Sequence, residues 1–385
     1  MERFFGNRRI TLYPSGTAAL ARAITNCAAR STTSAPEVII PAYGCPDLVA
    51  ACLHASVYPR LVDVLPSHWS YDPEALKSNL SRDTVAVVAV NLLGIGDGAA
   101  ELASLCKSRG ILLIQDSAQH LPRQVTEWPG DYVILSFGRG KPLNLLHGGA
   151  MIENSATPGR HSADPNPARY TLRDRLLASE AAALGFNFLT RPHAYRLLSM
   201  VPGTGLGDVT YKPLGNAAPL PECEWDRVGI AFELYRQKQS YRRDVWASSL
   251  DEWSAMGIRA LNCPGSPPPT EPLRLALMAP CETARDTLVN TLTENGLGAS
   301  RFYGTDLTSV AAIPEVVKSQ GPFPNAKTLA SRLFTLPTHD LLSATELDAI
   351  RREVLAWYRS AGAGRAVTAS VASPERPDKS GTNLR

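Results

Sequence analysis

The residues with most chemical potential in this chain are a lysine, an aspartate and a glycine-threonine pair, and each also has an ordinary reading. Lys141 stands on the turn Gly138-Arg139-Gly140-Lys141, just behind the apolar run Tyr132–Phe137. An amine on a glycine-rich turn after a buried strand can act as nucleophile or base, although most lysines are merely solvated. Asp116, about 25 residues earlier, closes the run Ile111-Leu112-Leu113-Ile114-Gln115. A carboxylate at the carboxyl end of a central parallel strand sits where open α/β sheets bind ligands; it would serve equally well as a helix cap. Gly16-Thr17, within Pro14-Ser15-Gly16-Thr17-Ala18-Ala19-Leu20, opens a helical stretch. Backbone N–H groups, a hydroxyl and the helix dipole would together attract an anion there. Ser15 as a plain N-cap accounts for the same residues.

Two other glycine patterns compete. Gly138-Arg139-Gly140-Lys141-Pro142 fails as a nucleotide phosphate loop, because Leu135 stands where its first glycine belongs and Pro142 replaces the required Ser or Thr. Gly94-Ile95-Gly96-Asp97-Gly98-Ala99 follows a strand and opens a helix, with Asp116 about 20 residues past Gly96. That imitates a dinucleotide fingerprint, but the third glycine is misplaced and Asn91-Leu92-Leu93 separate strand from glycine. A nicotinamide-dependent oxidoreductase is therefore the alternative this pattern carries.

The elements that must position these residues follow from hydrophobic pattern. Strands are predicted at Val38–Ile40, Arg60–Val64, Thr84–Val90, Ile111–Asp116, Tyr132–Phe137 and Gly149–Ile152, with helices at Ala18–Ala29, Leu48–His54 and Ala99–Ser108. Strands alternating with helices, several of them apolar at consecutive positions, predict an α/β domain whose mostly parallel sheet is covered by helices. A long amphipathic helix is expected from about Glu224 to Trp253. After Cys263-Pro264-Gly265-Ser266-Pro267-Pro268-Pro269 comes a smaller α/β unit, with strands at Leu273–Met278 and Phe334–Leu336 and helices at Thr283–Asn295 and Ala344–Trp357. The expected division is a large domain over 1–260, with an unusual insert at about 189–222, a small domain over 261–360 and a disordered tail over 361–385.

Composition removes several partners. The 385 residues carry 39 Lys+Arg against 36 Asp+Glu, so there is no electrostatic case for nucleic acid. No run of about 18 apolar residues exists, which argues against a membrane span. The stretch Met1–Arg9 has no apolar segment after its charges and does not read as a secretory signal. The seven cysteines are widely spaced and free of C-x-x-C pairs, which speaks against a disulfide framework and against a metal site. A cytoplasmic location is the expectation.

A Gly-Thr anion site, a strand-end acid and a strand-following lysine, in that order, match the needs of pyridoxal 5'-phosphate: phosphate donors, an acid beside the pyridine nitrogen and an amine for a Schiff base. On these residues the chain resembles the fold type I pyridoxal phosphate enzymes, and more narrowly the DegT/DnrJ/StrS family of sugar aminotransferases. Ser15-Gly16-Thr17-Ala18-Ala19-Leu20 looks like the family's phosphate-binding segment, and Val38-Ile39-Ile40-Pro41-Ala42-Tyr43 like the strand leading to its cofactor-covering segment. Leu61-Val62-Asp63-Val64 and Tyr71-Asp72-Pro73-Glu74-Ala75-Leu76 continue the match. Asp116-Ser117-Ala118-Gln119 resembles the family's Asp-Ala-Ala-Gln/His, Ser136-Phe137 with Lys141 its catalytic lysine motif, and Leu336-Pro337-Thr338-His339 its small-domain Leu-Pro-x-His.

The resemblance implies a role for each residue. Lys141 would hold the cofactor and act as general base; Asp116 would keep the pyridine nitrogen protonated. Gln119 would bond the phenolic oxygen, while Gly16, Thr17 and Ser136 would hold the phosphate. It implies an aminotransferase with glutamate or a similar amino acid as donor and a nucleotide-linked keto sugar or related biosynthetic intermediate as acceptor, assembled as a homodimer in which Asn187, which also reads as a turn residue, reaches the neighbouring subunit's phosphate. The chain also departs from the pattern. Cys45 and Pro46 stand where an aromatic ring usually covers the cofactor, leaving Tyr43 or Cys45 for that task, and Lys141 is followed by Pro142-Leu143-Asn144-Leu145-Leu146-His147 rather than glycines. Arg301, after Gly298-Ala299-Ser300, reads as a surface residue more readily than as a carboxylate ligand. A pyridoxal phosphate enzyme of another class, catalysing an aldol or elimination step, and a non-catalytic binding protein of the same fold also remain open.

Overall fold

A computed structural model of the chain describes residues 4–6, 8–96, 98–122, 128–154, 209–220, 224–237, 244–262, 272–339 and 342–360. Asn187, most of the 189–222 insert and the tail over 361–385 lie outside these residues.

Two sheets organise the described residues. The larger has seven strands: β1 (Arg9–Tyr13), β2 (Glu37–Pro41), β3 (Tyr58–Val62), β4 (Thr84–Val90), β5 (Leu112–Asp116), β6 (Tyr132–Ser136) and β7 (Gly149–Glu153). Their spatial order is β1-β7-β6-β5-β4-β2-β3. From β6 to β3 every pairing is parallel, whereas β7 runs antiparallel to both β6 and β1. The α/β class and mostly parallel sheet expected from the sequence are present. β4 reads Thr-Val-Ala-Val-Val-Ala-Val and is buried at every position, as a strand covered on both faces must be.

The covering helices are α1 (Gly16–Ala29), α2 (Asp47–His54), α3 (Pro73–Asn79) and α4 (Ala99–Arg109). α1 packs its alanine-rich face, with Leu20 and Ile24, into the main core. Small side chains let it lie close to β6 and β7. α3 is only seven residues long, but Asp72 caps it by accepting from the N–H groups of Glu74 (3.0 Å) and Ala75 (2.9 Å).

Among the described residues, the single helix expected over Glu224–Trp253 is interrupted by a 3-10 turn. α5 spans Glu224–Gln237; the chain re-enters as a 3-10 turn at Asp244–Trp246 followed by α6 (Ala247–Ala255). Trp246 and Trp253 are fully buried in a second core, and the Trp246 indole N–H donates to the Pro337 carbonyl at 3.1 Å. The smaller sheet is antiparallel, in the order β10-β9-β8, from β8 (Arg259–Ala260), β9 (Arg274–Met278) and β10 (Leu333–Pro337). α7 (Glu282–Glu294) and α10 (Ala344–Ser360) pack against it. Relative to the division expected at 260/261, α6 and β8 belong to this smaller core.

Between α7 and β10 the chain returns to the large sheet, through α8 (Glu315–Lys318) and α9 (Pro324–Arg332). The Gln320 amide covers the β3 edge, accepting from Leu61 N–H (2.9 Å) and donating to Pro59 C=O (2.8 Å). Asp63 accepts from the N–H groups of Asn325 (3.0 Å) and Ala326 (2.9 Å) and so caps α9 from another element. Leu307 N–H donates to Ala42 C=O at 2.9 Å. These ties fix the loop ahead of Leu307 over the carboxyl ends of the large sheet's strands. No described helix is long and apolar enough to cross a membrane.

Candidate active site

The carboxyl ends of β4, β5 and β6 present Val90, Asp116 and Ser136 to one cleft. Gly16 and Thr17 at the start of α1, Cys45 and Asp47 at the start of α2, and Asn91, Gln119, Lys141 and Tyr303 complete its polar wall. Residues distant in sequence thus meet at the edge of the sheet where open α/β folds bind ligands.

The α1 end is built by close approach. Ser15, in extended conformation, accepts from Ala18 N–H at 3.1 Å and starts the helix. An ideal Cβ at Gly16 would lie 2.8 Å from Ser136 Cβ, and one at Gly149 would lie 2.5 Å from Gly16 N. Glycine at both positions lets the helix start rest directly on β6 and β7, which brings Thr17 and the Ser136 hydroxyl to the same wall. The first turn of an α-helix has N–H groups without helical partners, so this corner is suited to an anion.

Asp116 ends β5, and its Oδ1 accepts from Ala118 N–H at 3.0 Å. Gln119 is clamped: Oε1 accepts from Leu93 N–H (3.2 Å), and Nε2 donates to the Tyr303 hydroxyl (3.0 Å). Lys141 follows β6 on a loop pinned at both ends of a short return. Phe137 N–H donates to Gly148 C=O, Leu145 N–H donates to Phe137 C=O, both at 2.8 Å, and Lys141 N–H donates to Gly138 C=O at 3.3 Å.

Of the two residues expected to cover the cofactor, Cys45 lines the cleft and Tyr43 does not. Tyr43 is fully buried behind Tyr303, its ring edge-on to Tyr303 with centroids 5.7 Å apart. Burial, reinforced by the Asp47 charge, pushes the Cys45 thiol up to about 12, so it is a neutral thiol at physiological pH. Burial and the neighbouring Cys45 likewise raise the Tyr303 phenol well above its usual range, and it stays protonated. Arg301 is engaged elsewhere: Nε donates to Asp286 at 2.8 Å and NH2 to Asn290 at 2.6 Å. It pairs with Asp286 and does not line the cleft.

Asp47, Asn91 and Tyr303 were not singled out by the sequence. Asp47 lies one residue ahead of the helix expected at Leu48–His54, and Tyr303 lies in Arg301-Phe302-Tyr303-Gly304, whose paired aromatics beside a glycine were the one available signal. Among the described residues no group of three or more His, Cys, Asp or Glu side chains could hold a metal ion.

Fold and cleft define an α/β protein with an anion corner, a strand-end acid and a loop lysine in one cavity. The chain belongs to the DegT/DnrJ/EryC1/StrS aminotransferase family, which it matches over residues 1–160 and 257–355. It is 32% identical over 151 residues to the L-glutamine:2-deoxy-scyllo-inosose aminotransferase of Streptoalloteichus tenebrarius, a match covering 38% of this chain and 35% of that one. It is 22% identical over 327 residues to the dTDP-4-dehydro-2,6-dideoxy-D-glucose 3-dehydratase of Saccharopolyspora spinosa, covering 82% of this chain and 69% of that one. Among solved structures, Bacillus subtilis NtdA with bound cofactor PMP superposes with a TM-score of 0.66 at 15% identity, over 93% of this chain and 77% of that one. Several of the relatives are matched over only about a third to two fifths of their own length. The family assignment displaces the dinucleotide alternative built on the Gly94 run.

Proposed function

We propose that the protein is a pyridoxal phosphate-dependent aminotransferase, taking the amino group from glutamate or a similar amino acid and passing it to a keto sugar, nucleotide-linked or free. The observation that carries this reading is the convergence of Gly16, Thr17, Ser136, Asp116 and Lys141 on one cleft, within a chain of this family. Relatives named as acting on sugar or cyclitol substrates support the acceptor class.

The donor set fits the cofactor. Thr17, Ser136 and the start of α1 would bind its phosphate. Asp116 would hold a proton at the ring nitrogen, a charge-assisted contact. Gln119 has a second amide hydrogen for the phenolic oxygen, beyond the one it gives Tyr303. Lys141 would hold the cofactor at its carbonyl carbon and, once the donor's amine has displaced it, its freed Nζ would carry a proton to and from the substrate carbon as general base. When bound, the cofactor supplies a ring that accepts electron density from that carbon. A homodimer belongs to the same reading, with Asn187 as the residue that crosses to the neighbouring subunit. The cytoplasm is its proposed location, in keeping with five described cysteines that are free thiols.

The experiment is the visible spectrum of purified protein before and after glutamate, with assay of the keto acid released. A coloured protein whose spectrum changes as keto acid appears supports transamination. The dehydratase relative favours one second reading, a pyridoxal phosphate enzyme of another reaction class; coloured protein that releases no keto acid from any amino donor would select it. Colourless protein that takes up no cofactor would leave only a non-catalytic role.

A further inference from the structure

The cleft has two carboxylates, and the proposed chemistry uses only Asp116. The other, Asp47, is the first residue of α2, behind Pro46, and it lines the cleft together with Gly16, Thr17, Ser136 and Lys141. Its Oδ2 accepts a hydrogen bond from Thr17 Oγ1 at 3.0 Å. Thr17 is the second residue of α1, so this hydroxyl is one of the donors an anion at that helix start would recruit. A carboxylate here opposes the anion twice: it engages the hydroxyl, and it adds negative charge beside the corner the phosphate would fill. An acid at a helix start is ordinarily accounted for by its own helix dipole. That role explains neither the bond across to α1 nor the exposure to the cleft.

We propose that Asp47 is an affinity-setting residue that weakens the protein's hold on the cofactor phosphate, with the Thr17 hydroxyl passing from Asp47 to the phosphate when cofactor enters. The inference rests on the pyridoxal phosphate reading above. It makes cofactor uptake sensitive to ionic strength, because Asp47 is exposed and its field is screened by salt.

The test is equilibrium titration of cofactor-free protein with pyridoxal phosphate, inorganic phosphate and unphosphorylated pyridoxal, in wild type, Asp47→Asn and Asp47→Ala. Asp47→Asn keeps an acceptor for Thr17 and removes only the charge. Unit and double charges a few ångströms apart in water-like surroundings imply affinity for pyridoxal phosphate about tenfold tighter. Inorganic phosphate should also bind more tightly, pyridoxal should be unchanged, and the gap should shrink as salt is raised. Asp47→Ala should tighten phosphate binding too, and thermal melts would confirm that both variants are folded. Equal or weaker binding of pyridoxal phosphate by both variants would overturn the proposal, as would an equal gain for pyridoxal. If wild type binds pyridoxal phosphate at Lys141 while the variants match it, this inference alone fails. If wild type binds none, the functional reading fails with it.

Discussion

Replacing Gly16 by alanine tests how the phosphate corner is built. The new Cβ would lie 2.8 Å from Ser136 Cβ, 3.2 Å from Ser136 Oγ and 3.4 Å from Leu135 C=O. Carbon atoms pack best at about 3.5–4.0 Å, so α1 and β6 must part by roughly 0.7 Å or more. There is little to absorb the shift. β7 already lies against the backbone of Gly16 through Gly149, and the buried face of α1 is packed with Ala18, Ala19, Leu20, Ala23 and Ile24. Overpacking of this kind costs about 1–3 kcal/mol. The displacement also separates Thr17 from Ser136, so cofactor affinity should fall about tenfold or more. Gly138→Ala is the control, since its Cβ would meet only Ser136 Oγ, at an ordinary 3.6 Å. Urea unfolding and titration of cofactor-free protein give the two readouts. Wild-type stability and affinity in Gly16→Ala, or equal losses in Gly138→Ala, would refute the close-approach argument.

Asp116→Asn keeps the shape of the residue and removes its charge; the protein should stay coloured while single-turnover reaction with an amino donor slows about 10–100-fold, the equivalent of about 1.5–3 kcal/mol. A wild-type rate in that variant would mean that Asp116 is not the pyridine partner. His68 is fully buried, its Nδ1 accepts from Ser70 N–H at 2.9 Å, and burial lowers its pKa to about 4. Between pH about 6.5 and 4 the unfolded chain therefore takes up a proton that the folded protein refuses. This contribution to stability is complete above about pH 6.5 and is lost as pH falls through about 4, up to about 3 kcal/mol. Urea unfolding at pH 7 and pH 4.5 should show a steeper acid loss in wild type than in His68→Gln, and parallel losses would contradict the assignment.

Much of the large sheet was legible because its strands are buried on both faces: β2 and β4 to β7 read as uninterrupted apolar runs bounded by turns. β1 was missed because Arg9-Ile10-Thr11-Leu12-Tyr13 is a short alternating edge strand whose place depends on antiparallel pairing with β7. α3 and α9 were missed for a related reason. Both are short, and α9 takes its cap from Asp63, far away in sequence. The 3-10 turn at Asp244–Trp246 ahead of α6 contains no proline or glycine to mark it in the sequence. In the cleft, Gly16, Thr17, Asp116, Ser136 and Lys141 were readable because each sits at a strand or helix end in a recognisable segment. Asp47 and Tyr303 were not, since Asp47 gains significance only from Thr17 and Tyr303 only from a loop tied back over the large sheet. Tyr43, by contrast, looked like a cofactor cover and is a core residue behind Tyr303.

The central claim is that Lys141 carries the cofactor. Borohydride reduction of cofactor-loaded protein, followed by peptide mapping, tests it most directly. The account predicts a stable cofactor adduct on the peptide containing Lys141, and its loss together with the visible absorbance in Lys141→Ala. An adduct on any other lysine, or undiminished absorbance and turnover in Lys141→Ala, would contradict it.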